Sequence, residues 1–197
     1  MGNLSLFQQF NASPAAPHWQ IAAAGIIAQW VILAVPIALV VAWLRGSAED
    51  RRELLEMVFA VLLALGIGQV ITHVWPQPRP FMLHLGLQLL AHDADPGLPS
   101  DHVTVFWSLA CAAALSARFR TWSLRLFVLG LAVGWSRVFL GVHFPYDVAA
   151  ALPVGCLGAA LARWLRAPMS PVYAGVLRLW ARVASSAHDE DACPPRT

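Results

Sequence analysis

The sequence predicts an all-α bundle of five to six helices that crosses a membrane, with a short interfacial helix between its second and third spans. Three observations predict it. The chain of 197 residues is 58% hydrophobic and only 12% charged, about half the charge of an ordinary soluble domain. Apolar runs near the ~20 residues needed to cross a bilayer recur along its whole length. All 13 of its basic residues are arginine, and they fall unevenly about those runs.

Residues 21–44 hold no charge and form the clearest span, which Pro36 is expected to bend. The first 44 residues contain no Lys or Arg, so this segment lacks the charged start of a signal peptide and is expected to remain as a span. The charged stretch RGSAEDRRE reads as a loop, and residues 57–75 form a second span ending before the proline-rich PQPRP. Residues 81–92 are apolar but too short to cross, which places them as the interfacial helix. An acidic turn, DADPGLPSD, leads into a third span over 102–117, followed by spans over 124–140 and 147–165. Residues 171–184, with Arg178 and Arg182 four apart on an apolar segment, read as a helix lying on the membrane surface. Residues 1–184 thus make one membrane domain, and 185–197 a polar tail expected to be disordered in the cytoplasm.

Cys111, Cys156 and Cys193 give no disulfide framework. The formal charge of +2 says little about partners. No nucleic acid, cofactor or metal is expected, and membrane lipids are the natural surroundings. Asn11-Ala12-Ser13 fits a glycosylation triplet, but Pro14 follows and such triplets arise readily by chance.

Arginine placement orients the bundle. Eleven of the 13 fall on one side of a five-span arrangement, and only Arg79 and Arg137 fall at the other. The excess of positive charge marks the cytoplasmic face, so the N-terminus is expected outside. Trp19, Trp43, Trp75, Trp122 and Trp164 lie near span ends, as an aromatic belt requires. The consequence is chemical. Arg79, the PSDH of 99–102, Ser136-Arg137 and the HFPYD of 143–147 all emerge in one outward layer.

Each piece has an ordinary reading beside a functional one. Arg79 could snorkel at the interface, or its fixed fork of donors could hold a phosphate. Ser100, after Pro99, is placed to cap the third span, and a helix N-terminus is also an anion site. His102 could be an interfacial histidine or part of that site. Arg137 interrupts an uncharged span, where an ionisable residue is a functional candidate. Asp147 could cap the fifth span; four residues after His143, it could equally fix that ring's tautomer and leave the other nitrogen free to attack.

Together, RP at 79–80, PSDH at 99–102 and SRVFLGVHFPYD at 136–147 resemble the three signature motifs of the type-2 phosphatidic acid phosphatase superfamily. The third matches at every position. Asp101 stands where the family usually has glycine, a variant similar to the bacitracin-resistance-type undecaprenyl pyrophosphate phosphatases. The family's first motif opens with a lysine seven residues before its arginine; Thr72 stands there, leaving its role missing or filled by another group such as His73.

The resemblance implies a bacterial inner-membrane phosphatase with its site facing the periplasm or exterior. It would hydrolyse undecaprenyl diphosphate through a phosphohistidine to recycle the cell-wall lipid carrier. His143 resembles the nucleophile, Asp147 its orienting carboxylate, and His102 the general acid. Arg79, Ser100 and Arg137, with Pro99 and Asp101, resemble the phosphate-binding set. The alternatives are a phosphatase or phosphotransferase for another lipid, such as phosphatidylglycerol phosphate or phosphatidic acid. A membrane cytochrome using His73, His102 and His143 as ligands fits poorly, since these histidines lie at span ends beside arginine.

Overall fold

The computed structural model describes residues 2–191, with side chains described to residue 186. Seven α-helices appear among the described residues: α1 (Asn3–Phe10), α2 (His18–Arg45), α3 (Ala48–Val74), α4 (Asp101–Leu115), α5 (Ser123–Phe139), α6 (Pro145–Trp164) and α7 (Arg166–Asp191). By length and composition, four helical segments among those residues can cross a membrane: α2, α3, Arg120–Phe139 (α5 with the short 3₁₀ turn before it) and α6. The protein is a multi-pass membrane protein.

Helix boundaries follow local chemistry. Ser47 and Asp50 cap the start of α3 reciprocally, Asp50 N to Ser47 Oγ at 3.2 Å and Ser47 N to Asp50 Oδ2 at 2.8 Å. The charged stretch read as a loop is therefore mostly the first turns of α3, its acids facing the helix's positive end. α3 stops where Trp75 meets Pro76. Pro145 opens α6, where a missing amide hydrogen costs nothing. α2 runs unbroken through Pro36.

α4 is the innermost of the long helices, packed by α3, α5 and α6. Its 15 residues span about 22 Å, short of a hydrocarbon core of about 30 Å. Ser100 N, at its start, donates to Asp147 O of α6 at 3.0 Å. Gly68 of α3 faces Pro99, whose Cγ lies 3.4 Å from the position a Gly68 Cβ would take. α3 continues six residues beyond Gly68, or about 9 Å. The short central helix thus leaves a recess walled by a longer neighbour, at the end where α5 finishes and α6 begins.

The expected interfacial helix is absent. Only Pro80–Leu83 forms a 3₁₀ turn, and the chain from His84 to Ser100 is irregular. His84 and Gly86 adopt positive φ, 56° and 66°, which a continuing helix excludes. Tertiary bonds replace the helical ladder. Leu87 N donates to Asn11 Oδ1 at 2.7 Å and Leu89 N to Leu140 O at 2.9 Å. Gly141, at φ +80°, passes so close that a Cβ there would stand 2.1 Å from Leu87 O.

α1, not foreseen from the sequence, straps this end of the bundle. Phe7 is fully buried and meets Phe144 edge-on at 5.3 Å between centroids. Asn11 Nδ2 donates to Leu87 O and Phe139 O, both at 3.0 Å. Asn11 is therefore a structural clasp between the irregular segment and the end of α5.

The opposite end is ion-paired. Arg118 bonds Glu49 at 2.8 Å and also Asp50, while the Ser116 hydroxyl bonds Glu53. Arg166 Nε meets Glu56 Oε1 at 2.6 Å, and Arg51 lies over Trp43 and Trp180 at 5.9 and 5.3 Å. Arg166 and Trp180 both touch this same end, so α7 crosses it rather than running along the bundle. The expected tail is helical through Asp191, because no proline or glycine interrupts 185–191. Residues 192–197, with Cys193 and Arg196, lie outside the described residues.

α3 and α6 touch closely at Gly158, where a Cβ would stand 2.7 Å from Ala60 O and from Ala64 Cβ. Gly158→Val must part the two helices that wall the recess. It is expected to cost about 1–3 kcal/mol, read as a lowered thermal midpoint in detergent.

Candidate active site

The recess gathers residues from each of the polar segments expected to share one face. Arg79, Ser100, Arg137, His143 and Asp147 are each 5% exposed or less. They arrive from the loop after α3, the start of α4, the end of α5, the α5–α6 connection and the first turn of α6.

His143 is the centre. Its Nδ1 lies 3.4 Å from Asp147 Oδ2, and Arg79 Nη1 lies 2.8 Å from its Nε2. A guanidinium can only donate. The pairing therefore puts the ring proton on Nδ1, toward the carboxylate, and the lone pair on Nε2, toward Arg79. Burial, then the nearby guanidiniums of Arg137 and Arg79, hold the His143 pKa well below its usual 6.5. The ring is neutral at neutral pH, as a nitrogen nucleophile must be.

Asp147 Oδ2 also accepts the Phe144 amide at 2.8 Å and so caps α6 while facing His143. Its carboxylate is fixed from the backbone. Gly97 closes the other side: a Cβ there would lie 3.1 Å from Asp147 Oδ2, 3.1 Å from Arg79 Cγ and 3.6 Å from His143 Nδ1. Nothing larger than hydrogen fits comfortably there.

Ser100 occupies the N-cap position of α4, yet its side chain makes no capping bond. Its Oγ is buried without a partner, as is Arg137 Nε. Arg137 has one long bond, Nη1 to Ala28 O at 3.4 Å, and no carboxylate within ion-pair distance among the described residues. A buried guanidinium and hydroxyl left unsatisfied are costly. Both would be satisfied by an anion.

Arg79 differs. Nε donates to Asp95 O at 2.9 Å and Oδ1 at 3.1 Å, Nη1 to Val142 O at 3.1 Å, and Nη2 to Pro96 O at 3.3 Å. With His143 on Nη1 as well, most of its donors are engaged by protein. It braces the irregular segment over His143, and an anion reaching it must exchange for some of these bonds.

His102 is half-buried on the first turn of α4, and Asp101 beside it is exposed. Both lie within electrostatic reach of Arg79 and Arg137. Pro99 is buried against α3, and Asp101 Oδ1 lies 3.9 Å from the Gly68 Cβ position. Thr72, in the place of the family lysine, donates Oγ1 to Leu98 O at 2.9 Å and so braces the corner before Ser100. His73 is exposed and makes no bond to this group.

Sequence reasoning missed Gly97, Asn11 and His92. His92 sits in the segment taken for an interfacial helix, its ring 6.4 Å from that of His143 at 76°. Its Nδ1 lies 3.4 Å from Asp95 Oδ1.

A model of the PAP2 superfamily matches residues 53–171, from α3 into α7 and across every residue of this site. The chain belongs to the PAP2 superfamily. Among curated relatives, it is 37% identical over 181 residues to the putative undecaprenyl-diphosphatase YbjG of Escherichia coli (strain K12), covering 92% of this chain and 91% of that protein. It is 35% identical over 131 residues to undecaprenyl-diphosphatase BcrC of Bacillus subtilis (strain 168), covering 66% and 67%. Among solved structures, Aquifex aeolicus LpxE aligns with a TM-score of 0.65 at 21% identity, over 81% of this chain and 93% of that one. The fold is that of a PAP2 membrane protein, with the short α4 held inside its longer neighbours.

Two outcomes are expected at this site. Gly97→Ala should displace the His143–Asp147 pair and lower kcat/KM for phosphate release by about 10²-fold, with little change in thermal midpoint. The second concerns acid. A histidine with its folded pKa depressed takes up a proton more readily when unfolded, so its stability contribution is intact above 6.5 and lost as pH falls below it. Thermal midpoints between pH 7.5 and 5 should therefore drop further for wild type than for His143→Asn.

Proposed function

We propose that the protein hydrolyses a polyprenyl diphosphate, undecaprenyl diphosphate in particular, to the monophosphate and inorganic phosphate. The site would face the periplasm or cell exterior of a bacterial inner membrane, where the carrier is recycled for cell-wall synthesis. The observation that carries the reading is His143, buried and neutral, with Asp147 on one ring nitrogen and unsatisfied Ser100 and Arg137 groups in the same recess. The named activities of the relatives over most of the chain support the substrate class.

In the proposed reaction the terminal phosphate seats on Ser100 Oγ, Arg137 and the amide end of α4, drawing Arg79 away from Nε2. The His143 Nε2 lone pair attacks phosphorus, the bridging P–O bond breaks, and the lipid phosphate leaves with a proton from His102, which took that proton from solvent as the anion bound. Asp147 holds the Nδ1 proton and stabilises the charge formed on the ring. Water then attacks the phosphohistidine and gives its proton to His102. The N–P bond breaks, inorganic phosphate departs, and the ring returns neutral. Phosphoryl transfer asks chiefly for positioning and charge neutralisation, which two arginines and a helix N-terminus supply.

Purified protein should release phosphate from undecaprenyl diphosphate at a higher kcat/KM than from phosphatidylglycerol phosphate or phosphatidic acid. A preference for either glycerolipid overturns the substrate assignment. His143→Ala and Arg137→Ala should each lower turnover by more than about 10³-fold while eluting as folded protein. Acid-labile, base-stable phosphate trapped on wild type and missing from His143→Ala would mark the covalent step.

A further inference from the structure

We propose that His92 is a further phosphate-contacting residue of this site, which closes over the phosphoryl group seated on His143 and binds it as imidazolium. This rests on the reading of His143 as the group that receives the phosphoryl. No signature motif includes His92. It stands midway along the irregular segment between the 3₁₀ turn and α4, and the fold brings it over the nucleophile.

Geometry carries the inference. The two rings are 6.4 Å apart between centroids and nearly perpendicular, one meeting the other edge-on. One tetrahedral phosphate between two imidazoles needs about this separation: its phosphorus lies against one nitrogen and an oxygen meets the other at hydrogen-bond distance. The His92 side chain is 23% exposed, enough to reach water and small enough to mark a fixed position. Nδ1 is directed by Asp95 Oδ1 at 3.4 Å and Asp93 O at 3.2 Å. Nε2 makes no hydrogen bond among the described residues and is the nitrogen left for a ligand.

The supply of cationic donors shows why a third is useful. Arg79 has most of its donors engaged by Asp95, Pro96, Val142 and His143. Thr72 contributes a neutral hydroxyl already bonded to Leu98. Only Arg137 enters with free donors and full charge, and a diphosphate brings more negative charge than one guanidinium balances.

Asp95 links the pieces, since the same Oδ1 meets Arg79 Nε at 3.1 Å and His92 Nδ1 at 3.4 Å. An anion that loosens Arg79 from Asp95 leaves that carboxylate to His92, where it favours the protonated ring.

Charges facing His92 set the direction of the switch. Burial, then Arg79 and Arg137, lower its pKa from 6.5 in the free protein, against the opposing pull of Asp93 O and Asp95. His143 stands neutral opposite, and His102 and Asp101 of α4 are also within electrostatic reach. The ring is thus neutral when the site is empty. A phosphate dianion between it and the arginines reverses the sign of the local field, and His92 takes a proton from solvent as the anion binds.

Full-length protein in detergent and orthovanadate provide the test, by calorimetric titration at pH 6.5 and 8.5. Wild type should bind vanadate more weakly at the higher pH. His92→Gln, which keeps a hydrogen-bond donor and cannot be charged, should bind about tenfold more weakly at pH 6.5 and lose most of the pH dependence. His92→Lys, charged at both values, should bind at pH 8.5 about as tightly as wild type binds at pH 6.5. With polyprenyl diphosphate, the His92→Gln loss should fall on KM more than on kcat. Vanadate constants for His92→Gln equal to wild type at both pH values refute the proposal. A wild type that binds vanadate yet leaves polyprenyl diphosphate intact refutes the substrate assignment instead, and His92 is still judged by vanadate.

Discussion

The structure depends on positive charge buried without a matching negative charge. Arg79 and Arg137 are sealed into one recess beside the neutral ring of His143, and Asp147 is the sole carboxylate among the described residues that is buried with them. A guanidinium removed from water is tolerable only when its donors are satisfied. Arg79 meets that condition through backbone carbonyls and Asp95; Arg137, with its single 3.4 Å bond, does not. The rest of the bundle is therefore built to keep an energetically poor arrangement from collapsing, and an anion is what relieves it.

Backbone supplies much of that resistance. Phe144 N fixes Asp147, Asp147 O fixes Ser100 N, and Val142 O and Pro96 O fix Arg79. Side chains held from peptide groups cannot drift to relieve their own charge, since moving them means moving two helix starts. α1 adds a second layer. Phe7 packs behind Phe144, the residue after His143, and Asn11 ties the end of α5 to the irregular segment. A short amphipathic strap thereby packs behind the connection that carries His143.

The sequence made the fold class, the span order and the motif residues legible for separable physical reasons. Membrane spans announce themselves because each must be apolar over a fixed length, and topology then decides which connections share a face. His143 and Asp147 were readable because four residues of chain join them. Other features resisted. The 81–92 segment is apolar enough for a helix, but its structure is set by bonds to Asn11 and Leu140, residues far away in sequence. Ser100 looked like a cap and stands in the cap position; only three dimensions reveal that its hydroxyl is left idle. Gly97 carries no signal whatever until the groups crowding its missing Cβ are known.

The two ends of the bundle use arginine in opposite ways, and the contrast explains why so few are at the site. At the far end, Arg118 and Arg166 lie half-exposed against Glu49, Asp50 and Glu56, and Arg51 is stacked between tryptophans. Water and paired acids make each of those charges cheap and individually weak. At the recess Asp95 compensates Arg79 but no carboxylate among the described residues pairs with Arg137, so every added guanidinium raises the cost of the others. A histidine escapes this limit. Neutral while the site is empty, it adds nothing to the repulsion among Arg79, Arg137 and their surroundings, and it acquires charge only when an anion has arrived to meet it. A site that must stay folded when vacant and bind a multiply charged headgroup when filled is therefore better served by titratable imidazoles around two arginines than by a third permanent cation.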